Sequence, residues 1–303
     1  MNKIDLKHVN NWMHRNAREL DLKIWDCLFA DGAAVAVADA MLAYQNEDGG
    51  FGHGLDPDNW NANSVPYASL YAIEALEMVG FYDMNHPVYQ GIRKYLNATG
   101  PEQWIFTLPT NADYPHASFY NYDDQYNKVE STGVIMSLSA FVIKYASDLS
   151  VFDTVMQQLD SYIARFQENN LGDMGPSSYI TLIDAIEKMG IKGYDYAKLQ
   201  QRLITIVNQT MQKEEKQWGN YGYRPSDFIK TKNSMFRKGN EEIVEKECDF
   251  LIKTLPTNNV WPVSWRWFNN AKLYPKEETI SLHMAKARKC IEKMLFLKEF
   301  NRI

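Results

Sequence analysis

Residues 43–54 constrain the fold more strongly than any other stretch of this sequence. An apolar run with helical spacing ends at Tyr44, a polar turn follows, and four glycines then fall within six positions (Gly49, Gly50, Gly52 and Gly54). Glycine adopts backbone angles that other residues rarely reach, so the chain can turn tightly here and approach a neighbour closely. The stretch therefore predicts a tight turn between packed elements, and it indicates an architecture more than a reaction.

Apolar residues recur with the spacing of one helix face along most of the chain. Such stripes include Leu70–Leu76, which Gly80 follows, and the segments 134–145, 199–207 and 280–295. This period is typical of amphipathic helices. Because no segment alternates convincingly between apolar and polar residues, we expect few or no strands.

Two of the helical stretches form an internal repeat. Ile73–Glu77 is echoed by Ile183–Glu187, and each segment is preceded by a proline and followed by a glycine. These residues suit the start and the end of a helix. A second helix is expected after each one, over 87–97 and 196–212.

Helical hairpins of this kind cannot bury their apolar faces alone, so they must stack on their neighbours. About five or six hairpins closing into a ring would form an α/α toroid, and an open solenoid is the competing arrangement. No Pro- or Ser-rich linker divides the 303 residues. We therefore predict an all-α fold, with a single α/α-toroid domain over residues 1–303.

The segment Gln45–Phe51 resembles the glutamine–aromatic repeat of terpenoid cyclases and protein prenyltransferase β subunits. Those families are α/α toroids whose turns carry a glutamine, then glycine, then an aromatic residue. The resemblance implies that the Gln45 amide ties down the turn backbone and that Phe51 stacks between helices. It is specific only around this turn, and one toroid scaffold hosts unrelated chemistries.

The resemblance also sets expectations for metal and acid chemistry. Prenyltransferases hold zinc with Asp, Cys and His, but the only candidates here, Cys248, Asp249 and His283, do not match that spacing, so we expect no metal and no cofactor. The segment Asp56–Asn59 resembles the Asp-x-Asp-Asp acid motif of class II terpene cyclases, with the last carboxylate replaced by an amide. This resemblance implies that Asp58 would be the protonating acid.

Two acidic segments are candidates for catalysis. The first contains His53, Asp56 and Asp58, which are residue types used in general acid–base chemistry. The alternative interpretation is that they form a turn or cap a helix. Tyr122, Asp123 and Asp124 lie in a predicted long loop over 109–128, and helix capping is again the alternative.

A third candidate segment is rich in indoles. Trp265 and Trp267 would lie on one side of an extended segment, with Arg266 on the other, and Trp60 follows the acidic pair. Such rings suit apolar ligands, sugar faces or cations. Core packing is the alternative interpretation.

Three functions follow from these candidates. In the first, a cyclase-like pocket uses Asp58, or the pair Asp123 and Asp124, to start acid-initiated chemistry on an isoprenoid-like ligand; the rings of Trp60, Tyr122, Trp265 and Trp267 stabilise cations. In the second, a glycosidase or polysaccharide lyase uses paired carboxylates such as Asp58 and Asp124. In the third, the toroid is a non-catalytic binding or scaffold protein.

Composition excludes other classes of partner. The net charge is -6 without a concentrated basic segment, which argues against nucleic-acid binding. No uncharged apolar run is long enough to span a membrane. Three widely spaced cysteines fit a reducing compartment, so we expect a cytoplasmic protein with a small-molecule or oligosaccharide ligand. The sequence does not indicate an oligomeric state.

Overall fold

The computed structural model describes residues 3–168 and 171–303, and the regular secondary structure in these ranges is helical. Within them no β-strand forms, so the prediction of an all-α fold with few or no strands is confirmed. None of the helices described is both long and apolar enough to cross a bilayer. The helices are α1 (Leu6–Asn16), α2 (Glu19–Phe29), α3 (Ala34–Met41), α4 (Pro66–Met78), α5 (Pro87–Thr99), α6 (Asp124–Tyr145), α7 (Ser150–Arg165), α8 (Gly175–Lys188), α9 (Tyr196–Thr210), α10 (Pro225–Phe228), α11 (Glu241–Thr254) and α12 (Pro275–Glu299).

The internal repeat is visible as two helices with the same ends. Helices α4 and α8 each carry a proline in their first turn. Two residues after each helix comes a glycine with positive φ, +68° at Gly80 and +66° at Gly190. The N–H after each glycine donates to a carbonyl five residues back, Leu76 in α4 and Ile186 in α8, at 3.0 Å in both. This is the Schellman ending, and it explains why the repeat could be read from the sequence.

The chain falls into two compact units. The first unit comprises Met1–Ala33, Ile204–Arg266 and Lys276–Ile303, and the second comprises Ala34–Leu203 and Trp267–Pro275. The single domain over 1–303 stays a prediction.

The helices of the second unit alternate between two rows. In one row α6 packs between α4 and α8, and in the other α5 packs between α3 and α7. Contacts of α3 with α4, and of α6 with α5 and α7, join the rows. Thirteen of the 22 residues of α6 are buried, so this helix lacks a polar face and forms the centre of the unit. Stacked helical hairpins have this order.

The side chain of Gln45 holds the glycine turn in place. Its Nε2 donates to the carbonyl of Gly49 at 2.9 Å and to the carbonyl of Val88, in the first turn of α5, at 3.0 Å. Phe51 is fully buried and forms an isolated bridge with Gln45. The resemblance implies that the Gln45 amide binds the turn backbone, as it does at Gly49. Membership of the family stays a prediction.

The turn lies against α5 because two glycines meet there. Gly49 has φ +92°, and a Cβ at this position would overlap the carbonyl of Gly91 and lie 2.8 Å from the Gly91 Cα. Any side chain at Gly49 would therefore strain the local backbone and push the turn away from α5.

We predict that Gly49→Ala destabilises the protein by about 3 kcal/mol, the sum of positive-φ strain and overpacking. Gly80→Ala is the matched control, since Gly80 also has positive φ but no atom lies within 4 Å of its Cβ position. The control should lose about 1 kcal/mol. Urea unfolding of both variants measures the difference, and equal losses would show that the contact with Gly91 contributes nothing.

Candidate functional site

Three loop segments of the second unit meet around the predicted acidic pair. The N–H of Trp60 donates to the Pro115 carbonyl at 2.9 Å, and the N–H of Ala117 donates to the Asp58 carbonyl at 2.9 Å. The N–H of Ser118 donates to the Trp267 carbonyl at 3.3 Å. Segments that are distant in the sequence therefore form one loop cluster, which includes predicted residues Asp56, Asp58, Trp60 and Trp267.

Both predicted aspartates are buried and accept hydrogen bonds. Asp56 is 8% exposed and Asp58 is 6% exposed. Asp56 accepts from the Asp58 N–H at 2.9 Å and from the phenol of Tyr120. Asp58 accepts from the indole N–H of Trp267 at 2.6 Å. Burial and then the charge of Asp56 raise the pKa of the Tyr120 phenol well above its ordinary value.

Buried asparagines extend this network. Asn111 accepts at Oδ1 from the amides of Asn61, at 2.9 Å, and Asn59, at 3.2 Å. It donates to the Tyr120 carbonyl at 2.9 Å. Asn270 donates to the His116 carbonyl at 2.9 Å. Sequence reasoning missed these amides, although asparagine at every second position from 59 to 63 was a usable signal.

The remaining predicted residues of the second unit lie near the surface. His53 is exposed with φ +56°, and its Nε2 lies 2.8 Å from Asn46 Oδ1. The Trp60 indole donates to the Pro57 carbonyl at 2.8 Å, and its ring lies edge-on to Trp267 with centroids 6.5 Å apart.

The segment before α6 follows the capping interpretation. Asp123 is the N-cap of α6, and its Oδ1 accepts from the Tyr126 N–H at 2.7 Å. Tyr122 donates its phenol hydrogen to Asp124, and all three predicted residues are exposed. Since α6 begins at Asp124, the prediction of a loop as far as residue 128 was wrong. A capping aspartate starts the helix before its apolar stripe begins.

Trp265 and Arg266 belong to the first unit. The guanidinium of Arg266 pairs with the buried carboxylate of Glu278 through two bonds of 2.8 and 2.9 Å. The hydrogen bond to Glu278 and the charge of Glu278 raise the pKa of Arg266 above its ordinary value. Its role in the structure is therefore an ion pair with Glu278, while a role in ligand binding stays a prediction.

An open groove of about 580 Å³ lies beside the glycine turn of the second unit. Asp48, in the turn, accepts at Oδ1 from the Gly50 N–H at 2.9 Å and from the Ser64 hydroxyl at 2.6 Å. Burial and then the charge of Asp48 raise the pKa of the Tyr95 phenol. We call this surface the Asp48 groove. Its lining includes Asn46, Asp48, Asn63, Ser64, Tyr95, Thr99, Glu102 and Gln103.

Sequence reasoning passed over the Asp48 groove. Asn46 and Asp48 lie inside the very segment that carries the family resemblance, between Gln45 and Phe51. The glycines that follow them indicated a tight turn, so Asn46 and Asp48 were not predicted as ligand contacts.

Metal-ligating residues do not gather within the described ranges 3–168 and 171–303. No group of three or more His, Cys, Asp or Glu side chains there could hold an ion. The candidates from the sequence have other surroundings: Cys248 is buried, Asp249 pairs with Arg302, and the ring of His283 lies 5.7 Å from that of Trp12.

Comparison with known proteins gives no family assignment. No protein-family model, no curated protein and no solved structure matches this chain. The function must therefore be argued from the geometry.

We predict that Trp267→Phe destabilises the protein by about 2 kcal/mol, because the buried Asp58 loses a charge-assisted donor. In an Asp58→Asn background the same change should cost about half as much, since the acceptor is neutral. Urea unfolding of the four variants in this cycle measures the coupling. Equal costs in both backgrounds would contradict a stabilising indole–carboxylate bond.

Proposed function

We propose that this chain is a carbohydrate-active protein that binds a polyhydroxylated ligand in the Asp48 groove. The observation that supports the proposal is the chemistry of the lining, which combines side-chain amides, hydroxyls and two carboxyl groups on one open surface. Sugar hydroxyls both donate and accept hydrogen bonds, so they need such a mixture. A cytoplasmic location and an oligosaccharide partner belong to the same proposal.

The two carboxyl groups of the groove supply the acid and base that glycoside chemistry needs. The donors Gly50 and Ser64 both bind Oδ1 of Asp48, and its Oδ2 has no hydrogen-bond partner among the described residues. Glu102 is exposed and forms no hydrogen bond or ion pair with the part of the chain that is described. We assign these two residues as the catalytic pair, in place of Asp58 and Asp124.

Isoprenoid chemistry is the second candidate, and the aromatic surroundings of Asp56 and Asp58 favour it. The rings of Trp60, Tyr120 and Trp267 could stabilise a cation next to these aspartates. Protonating an alkene needs a carboxylic acid, however, whereas an indole N–H binds the carboxylate more strongly. We therefore rank this candidate below the Asp48 groove.

We also propose that the helical hairpins close into an α/α toroid. The two alternating rows formed by helices α3–α8 support the stacking of hairpins. An open solenoid is stacked in the same way, so closure of the ring is the part that is proposed.

The proposal predicts saturable binding or turnover within a panel of neutral and acidic oligosaccharides, measured by calorimetry and release of reducing ends. Glu102→Gln and Asp48→Asn should each lower turnover by about 100-fold or more, since each removes an acid or a base. Asp124→Asn is the matched control, because Asp124 is exposed and does not line the groove.

Other outcomes separate the alternatives. Turnover of an isoprenoid panel that Asp58→Asn abolishes and Glu102→Gln leaves intact would favour the cyclase-like function. Absence of binding to either panel by the folded wild-type protein would contradict both enzymatic candidates and favour a scaffold.

A further inference from the structure

A series of hydrogen-bonded side chains runs from His53 to the Asp48 groove. His53 Nε2 lies 2.8 Å from Asn46 Oδ1, and Asn46 Nδ2 lies 3.0 Å from Ser64 Oγ. The Ser64 hydroxyl donates to Asp48 Oδ1 at 2.6 Å. Asn46, Ser64 and Asp48 line the groove, whereas His53 does not. We call these four residues the His53 series, since His53 is linked to the groove through the other three.

The carbonyl of Ala62 fixes the orientation of the Asn46 amide. A carbonyl can only accept a hydrogen bond, and Asn46 Nδ2 donates to this one at 3.0 Å. The other Nδ2 hydrogen is donated to Ser64 Oγ, which leaves the hydroxyl hydrogen of Ser64 for Asp48. Asn46 Oδ1 has only lone pairs, so the His53 Nε2 that faces it must carry a hydrogen. Every hydrogen bond of the series is therefore donated in the direction of Asp48.

The backbone holds His53 at the start of the series. Its φ is +56°, an angle that residues other than glycine rarely adopt. The His53 N–H donates to the Asn61 carbonyl at 2.8 Å, and the Val65 N–H donates to the Phe51 carbonyl at 2.8 Å. These bonds pair the glycine turn with segment 61–65, which carries Ser64. Since glycine would adopt this angle with less strain, the backbone alone does not require a histidine here.

The two oxygens of Asp48 have different surroundings. Oδ1 accepts from the Ser64 hydroxyl and from the Gly50 N–H at 2.9 Å, and Oδ2 has no hydrogen-bond partner among the described residues. Two donors on one oxygen suit an ionised carboxylate, which can only accept, and they fix its orientation. The second oxygen then remains available to take a proton.

We propose that His53 is a positioning residue for the Asp48 groove. Through the series it holds Asp48 as the base of the proposed carboxyl pair, which leaves Glu102 as the acid. This inference rests on the proposed function of the groove. In hydrolysis, Asp48 Oδ2 takes a proton from a water molecule whose oxygen bonds to the anomeric carbon. The glycosidic C–O bond breaks, its electron pair stays on the departing oxygen, and that oxygen takes the proton of Glu102.

The kinetics of His53→Gly test the proposal, with the panel oligosaccharide that wild-type protein hydrolyses fastest as substrate. Glycine tolerates the positive φ but removes the ring, so kcat should fall about tenfold while KM changes by less than about twofold. His53→Gln should restore most of kcat, because its amide nitrogen can donate from near the position of Nε2. Asp31→Gly is the matched control with wild-type kinetics, since Asp31 has φ +58° and lies in the first unit. An unfolding midpoint shows whether each variant is folded.

A substrate with a good leaving group separates the base from the acid. Dinitrophenolate departs as an anion, so a dinitrophenyl glycoside of the same sugar needs no proton from Glu102. Glu102→Gln should therefore hydrolyse it within about tenfold of the wild-type rate, whereas His53→Gly and Asp48→Asn should keep their full losses. The reverse pattern would overturn the assignment of Asp48 as the base.

The hydrogen on the His53 ring gives a readout that needs no turnover. Nitrogen-15 spectra of the neutral ring should show the hydrogen on Nε2 in wild-type protein, and Asn46→Ala should weaken this preference. A hydrogen on Nδ1 in wild-type protein would contradict the series, whatever the turnover.

Failure of this inference differs from failure of the proposed function. Wild-type protein that hydrolyses no oligosaccharide would contradict the function of the groove, and with it the role of Asp48 as a base. Wild-type hydrolysis that folded His53→Gly leaves unchanged would contradict the role of His53 alone.

Discussion

The second unit depends most on the two hydrogen bonds that the side-chain amide of Gln45 donates. This amide satisfies the carbonyls of Gly49 and Val88 together and so joins the glycine turn to the start of α5. Buried carbonyls without a donor are costly, and here one amide serves two of them. The contact of Gly49 with Gly91 lets the turn approach closely enough for these bonds. The position of Asp48, and with it the Asp48 groove, follows from this turn.

The second unit separates two kinds of polar surface. Around Asp56 and Asp58, buried amides, a phenol and an indole satisfy one another, and such a network holds loops together. In the Asp48 groove, carboxyl, amide and hydroxyl groups face solvent instead, where a ligand can reach them. This difference in exposure is why we propose ligand binding at Asp48 and Glu102, although the sequence pointed to Asp58.

Some of the candidate site was predictable, and the part that was not depended on distant partners. The Asp123 helix cap and the bond from Gln45 to Gly49 join residues within four positions of each other. The bond between Trp267 and Asp58 joins residues 209 positions apart, and no local pattern specifies it. That Trp265 and Trp267 lie on one side of an extended segment stays a prediction.

The sequence by itself determined the repeated helices α4 and α8, their ends and the glycine turn, because periodicity, proline and glycine act over a few residues. It also determined the absence of strands from the described chain, since no alternating pattern was present. Only the tertiary structure decided which carboxylates are buried and which face solvent. These properties depend on long-range packing: burial and neighbouring charge are set by elements that the chain brings together from distant positions.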